Sequence, residues 1–150
     1  MRCPACKTGD TAVIDSRESE EADSIRRRRE CTTCNYRFTT YERFEVPNLM
    51  VVKKSGAREN FDRNKLARGI YKAFEKRNVS PDQIEGIIDG VIREIMEKYD
   101  VEIPSALIGE MALGRIKPVD KVAYIRFASV YREFVDLAAF QEEIKKLISK

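Results

Sequence analysis

The spacing of apolar and polar positions changes once along this chain of 150 residues. In the first part, apolar residues come in short, alternating or β-branched runs. Ala12 to Asp15, Ser24 to Arg29 and Tyr36 to Tyr41 each predict a strand. Acidic Glu18 to Asp23 predicts an exposed loop between the first two. Phe44-Glu45-Val46-Pro47-Asn48 sets Pro and Asn between strand-like runs and predicts a short, stiff linker. After it, Val51-Val52, the Ser55-Gly56 turn and Arg58 to Phe61 predict a hairpin. Asp62 is placed as a helix N-cap, with Phe61 positioned to pack on Leu66.

Beyond Lys65 the period becomes about 3.6. Leu66, Ile70, Ala73 and Phe74 mark a first helix that ends before Asn78. Ser80-Pro81-Asp82-Gln83 opens the second with an N-cap, a first-turn proline and a capping-box glutamine. Its apolar stripe runs from Ile84 through Ile87, Ile88, Val91, Ile92 and Ile95 to Tyr99. Gly86 and Gly90 fall on another face, each costing about 1 kcal/mol against alanine, and a close backbone approach would explain them. Ile103-Pro104-Ser105 is expected to start a third helix, with Leu107, Ile108, Met111 and Ile116 inward and Gly114 and Pro118 ending it. Asp120 caps a fourth, VAYIRFASVYREF, apolar on nearly every side and so expected in the middle of a bundle. A last amphipathic helix follows Phe134, with Leu137, Phe140, Ile144, Leu147 and Ile148 inward and Glu142 and Lys146 at i,i+4 spacing. It either closes the bundle or packs on another subunit.

Composition narrows what these elements do. A 43% hydrophobic, 35% charged chain is ordinary for a globular protein. No apolar run approaches the roughly 20 residues of a membrane span. Met1-Arg2-Cys3 leaves no room for a signal peptide, so a cytoplasmic location and no membrane partner are expected. Residues 1–46 balance nine Lys/Arg against nine Asp/Glu, so any nucleic-acid contact must come from a local cluster. There is no histidine, no G-x-x-x-x-G-K-[ST] loop and no clear metal-binding carboxylate pair, which argues against an enzyme such as a nucleotide hydrolase.

All four cysteines lie in the strand-rich part, as Cys3-x-x-Cys6 and Cys31-x-x-Cys34 with twenty-four residues between. Two such knuckles supply a closed, four-thiolate shell that suits structural Zn²⁺. The separation exceeds the usual roughly 15–20 residues, which an inserted loop would absorb. Disulfides and a rubredoxin-like iron are the competing readings; a reducing compartment opposes the first, and the same ligands suit the second. A segment this short would draw most of its folding free energy from the metal.

Arg26 to Arg29 is the local cluster that the charge balance requires. On a strand, two of these arginines face one way and two the other, and Arg17 and Arg37 are placed to extend a positive face. Guanidinium groups bind phosphate and read guanine edges. A charged strand paired with Glu18, Glu20 and Glu21 gives the same pattern, and charge does not separate DNA from RNA. An RNA-binding ribbon with a helical interaction domain is therefore the alternative function. In the hairpin, Lys53, Lys54 and Lys65 can converge beside a helix N-terminus, where free N–H groups attract anions. Ordinary solvated lysines would look the same. Tyr124 and Tyr131 stand seven residues apart on one face of the fourth helix, either packed in the core or meeting a bound base or sugar.

Taken together, CPAC, DSR, SIRRRREC and RFTTYE, then VVKKSG, then DKVAYIRFASVYREF, resemble the bacterial ribonucleotide-reductase transcriptional repressors across nearly the whole chain. The order Val51, Lys53, Lys54, Gly56, Glu59, Phe61, Asp62, Lys65 is similar to the opening of the ATP-cone, although that family usually has Arg where this chain has Lys54. The resemblance implies an α+β chain. A DNA-binding zinc ribbon (1–46) would precede an ATP-cone (49–139), a β-hairpin capping a four-helix bundle, and residues 140–150 would end the C-terminal helix. It also implies structural Zn²⁺ on Cys3, Cys6, Cys31 and Cys34. ATP or dATP would lie on Val51, Lys53, Lys54, Glu59, Asp62, Lys65 and, less directly, Tyr131. Operator DNA of reductase genes would lie on Arg17, Arg26, Arg27, Arg28, Arg29 and Arg37. Nucleotide would set the state of a homo-oligomer, as in that family.

Overall fold

The computed structural model describes residues 1–18, 24–43 and 48–148. The chain separates into two compact units, Met1–Glu45 and Val46–Lys150. Residues 19–23 of the expected acidic loop and 44–47 of the expected linker lie outside the described residues.

In the first unit, β1 (Thr11–Glu18), β2 (Ser24–Cys31) and β3 (Arg37–Arg43) form an antiparallel sheet in the order β1-β2-β3. The strands outrun the predicted segments because β2 pairs along its length on both sides. The ladder of β1 is regular except for a bulge between Val13 and Asp15. Among the described residues of this unit, only Cys3 and Cys31 are buried hydrophobic groups. The sheet therefore has no apolar core of its own.

The second unit has one. β4 (Met50–Val52) and β5 (Arg58–Asn60) form the expected hairpin, with Gly56 at φ 82°, where a turn favours glycine. A third strand, β6 (Glu102–Pro104), pairs in parallel with β4. The expected helix start at Ile103-Pro104-Ser105 holds, with the helix beginning at Ser105; what the sequence did not show is that Ile103 and Pro104 also end a strand. Pro104 disfavours helical backbone at the preceding residue, and Ile103 pairs instead with Val51, both buried.

Among the described residues, five helices follow or interleave: α1 (Arg63–Ala73), α2 (Pro81–Lys98), α3 (Ser105–Ile116), α4 (Lys121–Tyr131) and α5 (Leu137–Ile148). The local signals hold at their ends. Asp62 accepts from the Asn64 N–H, and Asp120 from that of Ala123. Ser80 and Gln83 form the reciprocal capping box. The stripe of α2 is buried from Ile84 to Ile95, with Ile88, Val91 and Ile95 fully enclosed.

Several inward assignments change. Leu107 is exposed, whereas Ile116 is buried and Ile108 and Met111 pack half-buried on the core as expected; α3 also buries Gly109, Ala112 and Leu113. Gly114 lies inside α3 rather than ending it, and nothing crowds it. Gly86 is likewise open, whereas a Cβ on Gly90 would sit 2.5 Å from the Arg115 guanidinium, so the close approach is by a side chain. Helix α4 is not enclosed all round, since Val130 is 81% exposed. On α5, Leu137 and Ile148 point outward. Lys146 reaches Glu143 rather than Glu142, and Leu147 packs into the core. The helix is held to α4 by the Tyr124 hydroxyl donating to Glu143 at 2.6 Å and by Lys121 donating to the Leu147 carbonyl at 2.7 Å.

An ion-paired cluster joins α1 to α2. Arg63, half-buried at the start of α1, donates to Glu85 and to the buried Asp89 of α2 at 2.7 Å each, and Tyr71 donates to Glu85. These directional bonds hold the helices in a way that apolar packing does not supply.

Candidate functional site

The two knuckles that precede β1 and follow β2 turn the same way. Lys7 and Asn35, each immediately after a knuckle's second cysteine, adopt φ 61° and 58°. Lys7 donates its N–H to Cys3 O, and Asn35 to Cys31 O. These turns bring all four Sγ atoms within 4.8 Å of one another. Cys3–Cys34 and Cys6–Cys31 are both 3.7 Å apart. Four sulfurs around Zn²⁺ at about 2.3 Å would stand about 3.8 Å apart along each tetrahedron edge. A disulfide needs about 2.05 Å. The donor set therefore fits a tetrahedral cation. Backbone N–H groups of Thr8 and Gly9 hold the Cys6 thiol down to about 6. The Cys31 thiol is lowered by those of Cys34 and Thr33. The Tyr36 N–H acts in the same direction on Cys34, but desolvation and the three neighbouring sulfurs push it up to about 12. Four thiolates so close repel, and a dication at their centre removes that repulsion.

The arginine strand β2 is central in its sheet, so its two faces are separate surfaces. Arg26 and Arg28 stand opposite Arg17 and Asp15 on β1, and opposite Tyr41 and Thr39 on β3. Glu30 stands opposite Arg37, and the two are ion-paired. Arg27 and Arg29 lie on the other face, where Arg27 pairs with Glu42 at 2.9 Å and Arg29 donates to Thr40 at 3.1 Å. The six expected arginines thus divide four and two. Of the acidic partners considered for them, Glu18 stands opposite Ile25, while Glu20 and Glu21 lie outside the described residues. Arg43, whose guanidinium lies 4.1 Å over the Tyr41 ring, was missed. Its signal was available: Arg43 stands six positions after Arg37 on one strand, an even offset that puts both on the same face.

In the second unit a cavity of about 810 Å³ opens beneath the hairpin and is lined by β4, β5, α1 and α4. Val51, Lys53, Glu59, Asp62, Lys65 and Tyr131 all line it. Glu59 accepts from Lys53 at 2.7 Å and from Lys65 at 2.6 Å, and these two hydrogen bonds, Lys53 first, lower its pKa. Lys54 does not join them. It is absent from the lining and pairs with Glu133, after α4, at 2.9 Å. Lys54 stands in the turn beyond β4, where its ion pair with Glu133 draws it away, which corrects the expectation of three converging lysines.

The cavity lining also includes three cations that were not among the expected site residues, Lys72, Lys76 and Arg126. Lys65, Lys72 and Lys76 recur at helical spacing, a signal masked by the many lysines elsewhere. Arg126 also donates to the Glu75 carbonyl at 2.7 Å, beyond the end of α1. Also in the lining, Phe127 and Tyr131 stack with centroids 5.7 Å apart. Tyr131 lies so close over Gly109 that a Cβ there would meet its ring at 1.9 Å. The Tyr131 hydroxyl is buried against the Gly109 backbone without a well-formed hydrogen bond; its burial raises its pKa, and the nearby Gly109 backbone opposes that rise. Tyr124 is different: burial and Glu143 push it up to about 12, and it serves the α4–α5 contact.

A metal ribbon followed by a hairpin-roofed basic cavity defines a regulator that joins a zinc ribbon to an ATP-cone. Residues 1–42 match the family described as transcriptional repressor NrdR-like, N-terminal domain, and residues 49–137 match the ATP cone domain. The chain is 53% identical over 150 residues to a transcriptional repressor NrdR of Pelotomaculum thermopropionicum, covering all of this chain and 90% of the relative. It is 53% identical to that of Listeria innocua and 52% to that of Geobacillus kaustophilus, covering 97% and 98% of those chains. The chain belongs to the NrdR family of transcriptional repressors, which are regulators and not enzymes. Among the described residues no helix is long and apolar enough to cross a membrane.

Proposed function

We infer that this repressor senses adenine nucleotide in its cone and binds operator DNA of reductase genes through its ribbon. Residues 1–46 form the DNA-binding part, 49–139 the nucleotide-binding part, and 140–150 end the C-terminal helix. The observation that carries this reading is the cavity: six of the seven residues expected to meet nucleotide line one space of about 810 Å³. That size lies within the roughly 300–1,000 Å³ of small-molecule sites.

Cys3, Cys6, Cys31 and Cys34 hold Zn²⁺, which supplies folding free energy to the coreless sheet and takes no part in chemistry. In the cone, a polyphosphate competes with Glu59 for Lys53 and Lys65 beside the N-terminus of α1, where free N–H groups favour anions. The stacked Phe127–Tyr131 pair offers an aromatic wall to a base or sugar. ATP and dATP differ by one hydroxyl. The buried Tyr131 hydroxyl is a group able to read that difference, because one hydrogen bond gained or lost is worth about 1–3 kcal/mol.

Nucleotide identity then shifts the oligomer only as far as the two ligands differ in affinity for its arrangements. An arrangement that presents two ribbons to one duplex gains by effective concentration. Titrating ATP and dATP into the zinc-loaded protein, with size in solution measured for each form, tests this. Binding of both, with different assemblies and different affinity for reductase-gene upstream DNA, is expected. Nucleotide binding without any change in assembly or DNA affinity would remove the regulatory step.

A further inference from the structure

We propose that the duplex lies on one face of the ribbon, the face of Arg26 and Arg28, with Arg43 and Tyr41 as additional contacts. Arg27 and Arg29 lie on the opposite face; both faces carry side-chain bonds from β2 to β3, Arg28 to Thr39 at 3.2 Å on one and Arg27 to Glu42 and Arg29 to Thr40 on the other. This rests on the DNA-binding reading above and says which surface performs it.

The register carries the assignment. Among described strand positions, Arg17, Arg26, Arg28, Arg37 and Arg43 share one face with two carboxylates, Asp15 and Glu30. The opposite face has Arg27 and Arg29 against Glu18 and Glu42, a neutral set. A polyanion is drawn to the face with net charge of three. Ion pairs on that face leave each guanidinium further donors, since arginine carries five. Arg17 is paired with Asp15, and Arg37 with Glu30, along the sheet surface, which holds the side chains over the strands.

The bulge at Ile14 explains why Arg17 belongs to this face. From Thr11↔Cys31 an uninterrupted ladder would set Arg17 opposite Ile25, on the side of Arg27 and Arg29. The one extra residue advances it to stand opposite Arg26. Bulges re-aim side chains in this way and recur beside functional sites. At the other edge, the Arg43 guanidinium is held over Tyr41 by a cation–π contact, pre-ordering it on the same surface. Three strands about 4.8 Å apart make a patch about 10 Å across. The major groove, about 12 Å wide, admits a β-ribbon of that scale.

Thr39 and Thr40 offer a test in which neighbouring residues must behave oppositely, because they stand across from Arg28 and Arg27 respectively. The full-length, zinc-loaded protein is titrated with a labelled random-sequence duplex of ~40 base pairs at ~50 mM salt, and the salt slope is recorded. Zinc stoichiometry of each variant reports that the ribbon is folded. Thr39→Glu and the double change Arg26→Ala/Arg28→Ala are each expected to weaken binding ~10-fold or more. The double change should also lower the salt slope by about 2. Arg43→Ala weakens binding ~5-fold. Thr40→Glu changes it less than ~3-fold, and Arg27→Ala/Arg29→Ala costs less than the Arg26/Arg28 pair. Equal losses from Thr39→Glu and Thr40→Glu, or a larger loss from the Arg27/Arg29 pair, overturn the face assignment. If the unaltered protein binds a structured RNA but no duplex, the DNA-binding reading fails and this inference with it.

Discussion

The two units reach a folded state by opposite means. In the ribbon, the buried hydrophobic groups among the described residues are two cysteines, so the sheet closes around sulfur. In the cone, one hydrophobic core includes residues from Leu49 to Leu147, mostly aliphatic with Phe74, Tyr124 and Phe127. The contrast teaches where charge can be placed. A sheet with no core leaves both faces to solvent, and four consecutive arginines are tolerated on its central strand. Among the described residues the cone buries two charged groups, Asp89 and Glu143, and pairs each with an arginine, Arg63 and Arg132.

Breaking this contrast most sharply needs only the metal. Chelation, or Cys31→Ser, should unfold residues 1–43 and abolish DNA binding, since structural zinc supplies about 10–16 kcal/mol in small metal domains. The helical circular dichroism of the cone should stay. A ribbon that keeps its amide dispersion without metal would refute the account of its stability.

The converse change strikes the cone. Ile88→Ala should cost about 2–5 kcal/mol by opening a cavity beside fully buried neighbours. Calorimetry should show a lower cone transition while zinc stoichiometry is unchanged. Loss of zinc in this variant would mean that the two units do not fold independently.

A smaller effect sharpens the difference in function. Lys53→Ala should lower nucleotide affinity about tenfold, roughly 1.4 kcal/mol, by removing one cation from the cavity. Zinc content and thermal stability should hardly move. Lys54→Ala should do less, because Lys54 lies outside the cavity lining and pairs with Glu133. Titration calorimetry on both variants ranks them, and the reverse order would return Lys54 to the phosphate site.

The smallest effect is in pH. The Tyr124 hydroxyl, then Arg132, holds Glu143 below the usual carboxylate range. A depressed folded pKa contributes stability that is present above the unfolded value, near pH 4.3, and is lost as pH falls through the folded one. Glu143→Gln should flatten that acid limb of the cone's stability by a fraction of a kcal/mol. Identical acid limbs in both proteins would mean that Glu143 titrates alike folded and unfolded.

The sequence by itself determined what is local. Cysteine spacing specified the donor set, Asp62, Ser80-Gln83 and Asp120 specified helix starts, and Ser55-Gly56 specified the hairpin, because each works through backbone groups a few residues away. Tertiary structure decided whatever depends on a distant partner. It paired Ile103 with Val51 and so placed a strand, β6, directly before the expected start of α3, sent Lys54 to Glu133, and brought Arg126 to the cavity that holds Lys65. It also divided the arginines between two faces through one bulge in a neighbouring strand. Which side of a helix or strand is buried follows from what packs against it. Leu137 and Ile148 satisfy the helical period and still face outward, because only part of that stripe meets α4 and the core.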